Sequence, residues 1–178
     1  YRPNIYFFGK YLVSFLFKHN IFKKSTTNKE LVAEKPADYV QKLSGNQCII
    51  LKQQLNRLLS SKARSNQIAF EYFSGLKDID SIKLANRKLC NGSNLIRFPL
   101  LVENRDKYLE KLNSNLIEPG LWFTAPLSSP SIDHKLFKYK IGSCPTAERI
   151  ADKIINLPTH NKLNNKDVNK IIGLIKTI

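Results

Sequence analysis

The chain contains no Met, and its 178 residues begin with Tyr1. A natural chain of this size ordinarily starts with Met, so a fragment or processed product is expected. Cysteine is scarce: Cys48, Cys90 and Cys144 are odd in number and no pair has CxxC spacing. That excludes the dense, even set of a disulfide-stapled secreted domain and points to structural thiols in a reducing cytosol. His19, His134 and His160 stand apart from one another and from the cysteines, without the short ligand spacings of zinc sites. No GxSxG, P-loop, HExxH, or GxGxxG after a strand is present, so no self-sufficient catalytic set can be read from motifs. Acidic residues are also few, 14 against 29 Lys plus Arg.

What is there is the composition of a folded chain, 42% hydrophobic and 24% charged, which excludes wholly disordered, collagen-like and coiled-coil classes. The formal net charge of +15 suggests an anionic partner. The cations argue against a dedicated nucleic-acid site. Only Arg2, Arg57, Arg64, Arg87, Arg97, Arg105 and Arg149 are arginines, so lysine supplies 22 of the 29. Arginine makes bidentate phosphate and base contacts, whereas lysine is a solvated point charge. The lysines are scattered, with no helix-turn-helix, zinc-finger or RNP-like pattern. A basic binding module for nucleic acid or anionic membrane is the alternative function.

The segment Ile5–Phe22 is strongly apolar, but it is shorter than the roughly 20 apolar residues of a membrane span. No small-residue cleavage site follows it; Lys18, His19, Lys23 and Lys24 come instead. Lys10, Ser14 and Lys18 recur at four-residue spacing, one narrow polar stripe on an otherwise apolar helix. Such a helix is buried against a large partner surface, the favoured expectation, or lies peripherally on a membrane through residues 5–22.

Farther on, Ser44 and Gln47 have capping-box spacing, and Ile50, Leu51, Leu55, Leu58 and Leu59 follow at helical period. The pattern runs through Ile68, Ala69 and Tyr72 to Gly75, predicting one long bridging helix over 44–75. Asp78–Gly92 is turn-rich, with Asn91-Gly92 as its stop signal. Ile96, Phe98, Leu100 and Val102 share one face of a strand, and Pro99 predicts an edge position for it. Asn104–Asn113 reads as a helix, Leu116-Ile117 as the start of a strand, and Pro145 as a helix opener with Ile150, Ile154 and Ile155 as its buried stripe. Asn165 is expected to cap a last helix with Val168, Ile171, Ile172 and Ile175 inward. This order is α+β. Trp122-Phe123, on a proline-bounded irregular loop, suits a pocket lining or simple packing. His160, following Leu-Pro-Thr, either orients a ligand or lies on the surface, the latter favoured without a partner.

Several of these segments, in this order, carry a resemblance. Arg97-Phe98-Pro99-Leu100-Leu101-Val102 with Asn104-Arg105-Asp106, the stretch Ile117–Leu127, Cys144-Pro145 with Ala147-Glu148, Asn156-Leu157-Pro158-Thr159-His160 and the closing helix after Asn165-Lys166-Asp167-Val168 resemble the carboxy-terminal domain of the DegT/DnrJ/StrS sugar-nucleotide aminotransferases. Lys42-Leu43-Ser44, Gln47 and Gln54-Leu55 resemble the family run that opens its bridging helix. The hydrophobic amino-terminal part looks like an insertion seen in some members.

The resemblance implies the small antiparallel α+β domain of a fold-type I pyridoxal 5'-phosphate enzyme. It divides the chain into a tail or insertion from the large domain (1–43), the bridging helix (44–75) and the small domain (76–178). The cofactor is an electron sink bound as a Schiff base. The family passes an amino group from glutamate to a nucleotide-linked keto-sugar in two half-reactions, for surface polysaccharide synthesis in a cytoplasmic homodimer. The Schiff-base lysine and the aspartate partner of the pyridine nitrogen would precede Tyr1, so this chain alone is expected to lack transaminase activity. The resemblance assigns no catalytic residue and no metal here. It places Lys42 beside the cofactor of a neighbouring subunit and Trp122, Phe123 and His160 beside the substrate. Lys42 stands where the family has arginine, which keeps charge and loses the bidentate fork. Cys48, Ile49 and Ile50 replace small residues, and Leu121-Trp122 stand where many members carry histidine.

Overall fold

The computed structural model describes residues 3–19, 21, 28–37, 40–86, 95–127 and 130–178. They divide into two compact units, 1–41 with 123–151 and 42–122 with 152–178. In chain order the elements are α1 (Pro3–Lys18), α2 (Asn28–Leu31), α3 (Gly45–Asn56), α4 (Leu58–Leu76), β1 (Ile82–Leu84), β2 (Arg97–Val102), α5 (Arg105–Ser114), α6 (Pro145–Lys153), β3 (Ile154–Pro158) and α7 (Asn165–Lys176). The class is α+β, with a three-stranded antiparallel sheet.

The second unit holds the main core. α3 opens with the expected reciprocal cap: the Ser44 amide donates to Gln47 Oε1 at 2.8 Å, and the Gln47 amide donates to Ser44 Oγ at 3.3 Å. The single helix expected over 44–75 is two helices. α3 ends at Asn56, where the Arg57 amide turns back to the Gln54 carbonyl at 3.1 Å, and α4 restarts at Leu58. The physical reason lies in the packing. α4 buries Ile68, Ala69, Tyr72 and Leu76, whereas α3 buries no residue and so lacks the tertiary packing that holds α4.

The sheet runs in the order β1-β2-β3. Phe98, Leu100 and Val102 of β2 and Ile155 and Leu157 of β3 form one face, in a single core with the α4 residues, Tyr108 and Leu112 of α5, and Val168, Ile171 and Ile175 of α7. The strand β3 corrects the expectation that Ile154 and Ile155 extend the helix before them. α6 stops at Lys153, and all five residues of Ile154–Pro158 are buried. A short, continuously apolar run carries no period that separates strand from helix. β1 likewise emerges from a stretch expected to be turns; Asn91-Gly92 lies outside the described residues.

Pro99 is not on an edge: β2 is the central strand. Pro99 faces Asn156, whose N–H and C=O both turn away to Gly120, so the Pro99–Asn156 pair is a non-hydrogen-bonded one. The donor that Pro99 lacks would point toward β1, which has already ended at Leu84, opposite Leu100. Leu116-Ile117 is not a strand either. Leu116 takes φ +61 and the Ile117 amide bonds the Leu112 carbonyl at 3.0 Å, a left-handed helix stop for α5. The cap of α7 is Asn164 rather than Asn165, with Asp167 completing its box.

In the first unit, α1 exposes Tyr11, Leu12, Val13 and Phe15, so the favoured burial is not supplied by the described residues. No helix among the described residues is long and apolar enough to cross a membrane. Pro145 opens α6 as expected. Glu148 in its first turn accepts from the Tyr139 hydroxyl at 2.6 Å and the Gly142 amide at 2.7 Å. This shared bond pushes the Tyr139 phenol up to about 12 and draws the Glu148 carboxyl below its ordinary value.

Candidate functional site

The sheet face opposite the core helices carries Arg97 and Asn156. Residues directly opposite each other in a ladder share a face, so Arg97, Pro99 and Leu101 of β2 lie with Pro158, Asn156 and Ile154 of β3. Gly120 adds to the outer edge of β3 as an isolated antiparallel bridge to Asn156: the Gly120 amide donates to the Asn156 carbonyl at 2.7 Å, and the Asn156 amide donates back at 3.0 Å. That bridge brings the loop after Gly120 onto the sheet edge. The Arg97 guanidinium lies over the Trp122 ring, 5.4 Å from its centroid, a cation–π arrangement. Trp122 keeps half of its surface exposed.

β3 runs directly into Thr159 and His160. Thr159 is buried, and its hydroxyl lies 2.9 Å from the Leu95 carbonyl oxygen and 2.7 Å from that of Ile96, sharing one proton between them. It thereby ties the end of β3 to the start of β2. His160 is half-buried rather than fully exposed. Its pKa is lowered from the ordinary 6.5, first by loss of water around the ring and then by the positive charges of Arg97 and Lys162. The imidazole is therefore held toward its neutral form, the state in which one ring nitrogen donates and the other accepts.

Of the four residues singled out in the sequence, Trp122 lies under the Arg97 guanidinium, and the charge of Arg97 is a secondary cause of the lowered His160 pKa. Phe123 follows directly in a left-handed backbone, φ +64, with its ring largely exposed. Lys42 is exposed in the segment before α3. Sequence reasoning passed over Arg97 and Asn156 as site residues. The signal for Asn156 was present: one amide inside the apolar run Ile-Ile-Asn-Leu-Pro.

A pyridoxal-phosphate site requires a lysine withdrawn from water to form the Schiff base. Among the described residues every lysine is exposed except the half-buried Lys153, which is paired with Glu103. These residues do not make a complete cofactor site by themselves.

The DegT/DnrJ/EryC1/StrS aminotransferase family model matches residues 15–176. The chain belongs to this family. A curated relative, dTDP-4-amino-4,6-dideoxy-D-glucose transaminase of Escherichia coli, is 28% identical over 127 residues, 68% of this chain and 34% of that protein. An uncharacterised protein of Methanocaldococcus jannaschii is 32% identical over 87 residues, 46% of this chain and 22% of its own length. Among solved structures, a DegT DnrJ EryC1 StrS aminotransferase from Brucella abortus aligns with TM-score 0.66 at 26% identity, covering 81% of this chain and 39% of that one. DesV of S. venezuelae, in complex with a ketimine intermediate, aligns with TM-score 0.63 at 22% identity, covering 80% of this family member and 40% of DesV, and shares the fold. The chain thus spans about a third of the E. coli relative and two-fifths of these structures.

Proposed function

We propose that this chain is the carboxy-terminal part of a pyridoxal-phosphate-dependent aminotransferase acting on a nucleotide-linked keto-sugar, in surface polysaccharide synthesis. The observation that carries the proposal is the Arg97 guanidinium lying over the Trp122 ring, inside the residues that match the family. Trp122 and Phe123 border the sugar, and His160, kept toward neutral, takes a hydrogen bond to it. Lys42, exposed before α3, would approach the cofactor site of a neighbouring subunit in a cytoplasmic homodimer. When bound, the cofactor supplies the electron sink for amino transfer from glutamate. Residues 1–43 belong with the large domain, 44–75 bridge, and 76–178 form the small domain. The exposed apolar residues of α1 and α3, such as Tyr11, Phe15, Ile50 and Leu55, support this division, because they need a partner surface.

The test uses pyridoxal phosphate and the purified chain, followed by borohydride reduction and peptide mapping. The proposal expects only scattered, substoichiometric labelling of exposed lysines. Stoichiometric labelling of one lysine would overturn it. Strong binding to nucleic acid or anionic vesicles, retained with sequence or lipid preference, would favour the binding-module alternative instead.

A further inference from the structure

We infer that Asn156 is a positioning residue that sets the place of the Trp122 loop. Asn156 is only 3% exposed, although it is an amide in the middle of an apolar strand. A buried polar side chain is retained only when its hydrogen bonds are made. Its Nδ2 donates to the Gly120 carbonyl at 3.2 Å and to the Trp122 carbonyl at 3.3 Å. Its backbone makes both bonds of the bridge to Gly120. Four bonds from one residue therefore fix both ends of the Gly120-Leu121-Trp122 step. Gly120 also lies in van der Waals range of both residues: a Cβ built on it would stand 3.4 Å from Asn156 Cβ and 4.0 Å from Arg97 Nε.

This arrangement explains two neighbouring features. Trp122 is half exposed, so burial alone does not determine where its ring lies. The tether at its carbonyl fixes the backbone from which the ring reaches Arg97. Phe123, next along the chain, holds φ +64. A non-glycine residue stays in that conformation where its surroundings over-determine it, and the tether one residue earlier supplies such a constraint. Asn156 is thus a substrate-positioning device at one remove. That last step rests on the proposed contact between Trp122 and the sugar; the tether itself does not.

Trp122 is the only tryptophan of the chain, so its fluorescence reads the loop without any activity assay. The experiment is acrylamide quenching of the full chain and of Asn156→Asp, Asn156→Ser and Thr159→Val, with far-UV circular dichroism and thermal melts alongside. Asp keeps the shape of Asn, but its carboxylate cannot donate to two carbonyls. Going from half to full exposure predicts a rise of about twofold in the quenching constant for both Asn156 variants, with a red-shifted emission maximum. In Asn156→Asp the quenching constant should fall back toward wild type on acidification, as the carboxyl regains a proton to donate.

Thr159→Val removes a buried donor from the same strand end, but not from the loop. It should lower the melting temperature and leave quenching unchanged. Equal quenching in wild type and the Asn156 variants, with native circular dichroism, would overturn the inference. So would a rise in Thr159→Val equal to theirs. Should Asn156→Asp fail to fold, Asn156→Ser, which keeps a small donor in place, decides the matter. A failure of the sugar-aminotransferase proposal would appear in the borohydride experiment and leave this quenching pattern intact.

Discussion

Arg97 lies over Trp122, 5.4 Å from its ring centroid, and directly opposite Pro158, two residues before His160. One side chain on the central strand therefore lies over Trp122 and adds, after burial, to the lowering of the His160 pKa. Arg97 is the first residue of β2, and its partner strand ends at Pro158, directly opposite it.

The first prediction concerns His160. Its folded pKa lies below the unfolded 6.5, chiefly through burial and then through Arg97. The unfolded chain therefore binds more protons in the window between the two values, and stability rises with pH there. The contribution is complete above about pH 6.5 and is lost progressively as pH falls from there toward the folded value. Denaturant melts at pH 7.5 and pH 5 should show this loss, and His160→Gln should flatten it. In Arg97→Gln, proton NMR titration should find the His160 pKa raised but still below the ordinary value, since burial remains.

The second prediction concerns the hydroxyl of Tyr72, which is buried and donates to the Pro158 carbonyl at 3.1 Å. Burial, then the charge of Glu71, raises its pKa far above the ordinary range, so it stays a donor at any working pH. Tyr72→Phe keeps the ring, packed 5.4 Å from Phe98, and removes only the donor from a buried carbonyl. A loss of about 1–3 kcal/mol is expected, read as a lower urea midpoint at unchanged m-value.

What was legible in the sequence, and what was not, divides along physical lines. The Ser44–Gln47 cap, the helix opened by Pro145 and the alternation of Phe98, Leu100 and Val102 were legible because each depends on neighbours in the chain. The break at Arg57 was not, because the apolar period runs straight through it; only tertiary burial separates the two helices. β3 was not legible either, because its five buried positions show no alternation. Trp122 and His160 stood out by residue type, whereas Arg97 and Asn156 acquire their roles only from strand register and the Gly120 bridge.

The third prediction contrasts two caps of the same kind. Ser44 caps α3, which buries nothing, and Asn164 caps α7, which buries Val168, Ile171 and Ile175. Either cap changed to Ala costs its own helix about 1 kcal/mol. In Asn164→Ala that loss should appear in the global unfolding free energy. In Ser44→Ala the urea midpoint should stay near wild type, and the change should appear as faster amide exchange in the first turn of α3.

The last prediction tests the packing of α4 against α7. A Cβ at Gly75 would stand 2.8 Å from Ile172 Cδ1 and 3.0 Å from its Cγ2, closer than side chains tolerate. Gly75→Val should therefore destabilise the chain by about 1–3 kcal/mol, even though valine is a better helix former than glycine. Ile172→Ala removes the atoms in the way, at the expense of its own partly buried contacts. The double variant should be more stable than the sum of the two losses predicts, with the coupling measured by a double-mutant cycle in urea. Simple additivity would mean that Gly75 and Ile172 do not touch, and that α4 and α7 pack through other residues.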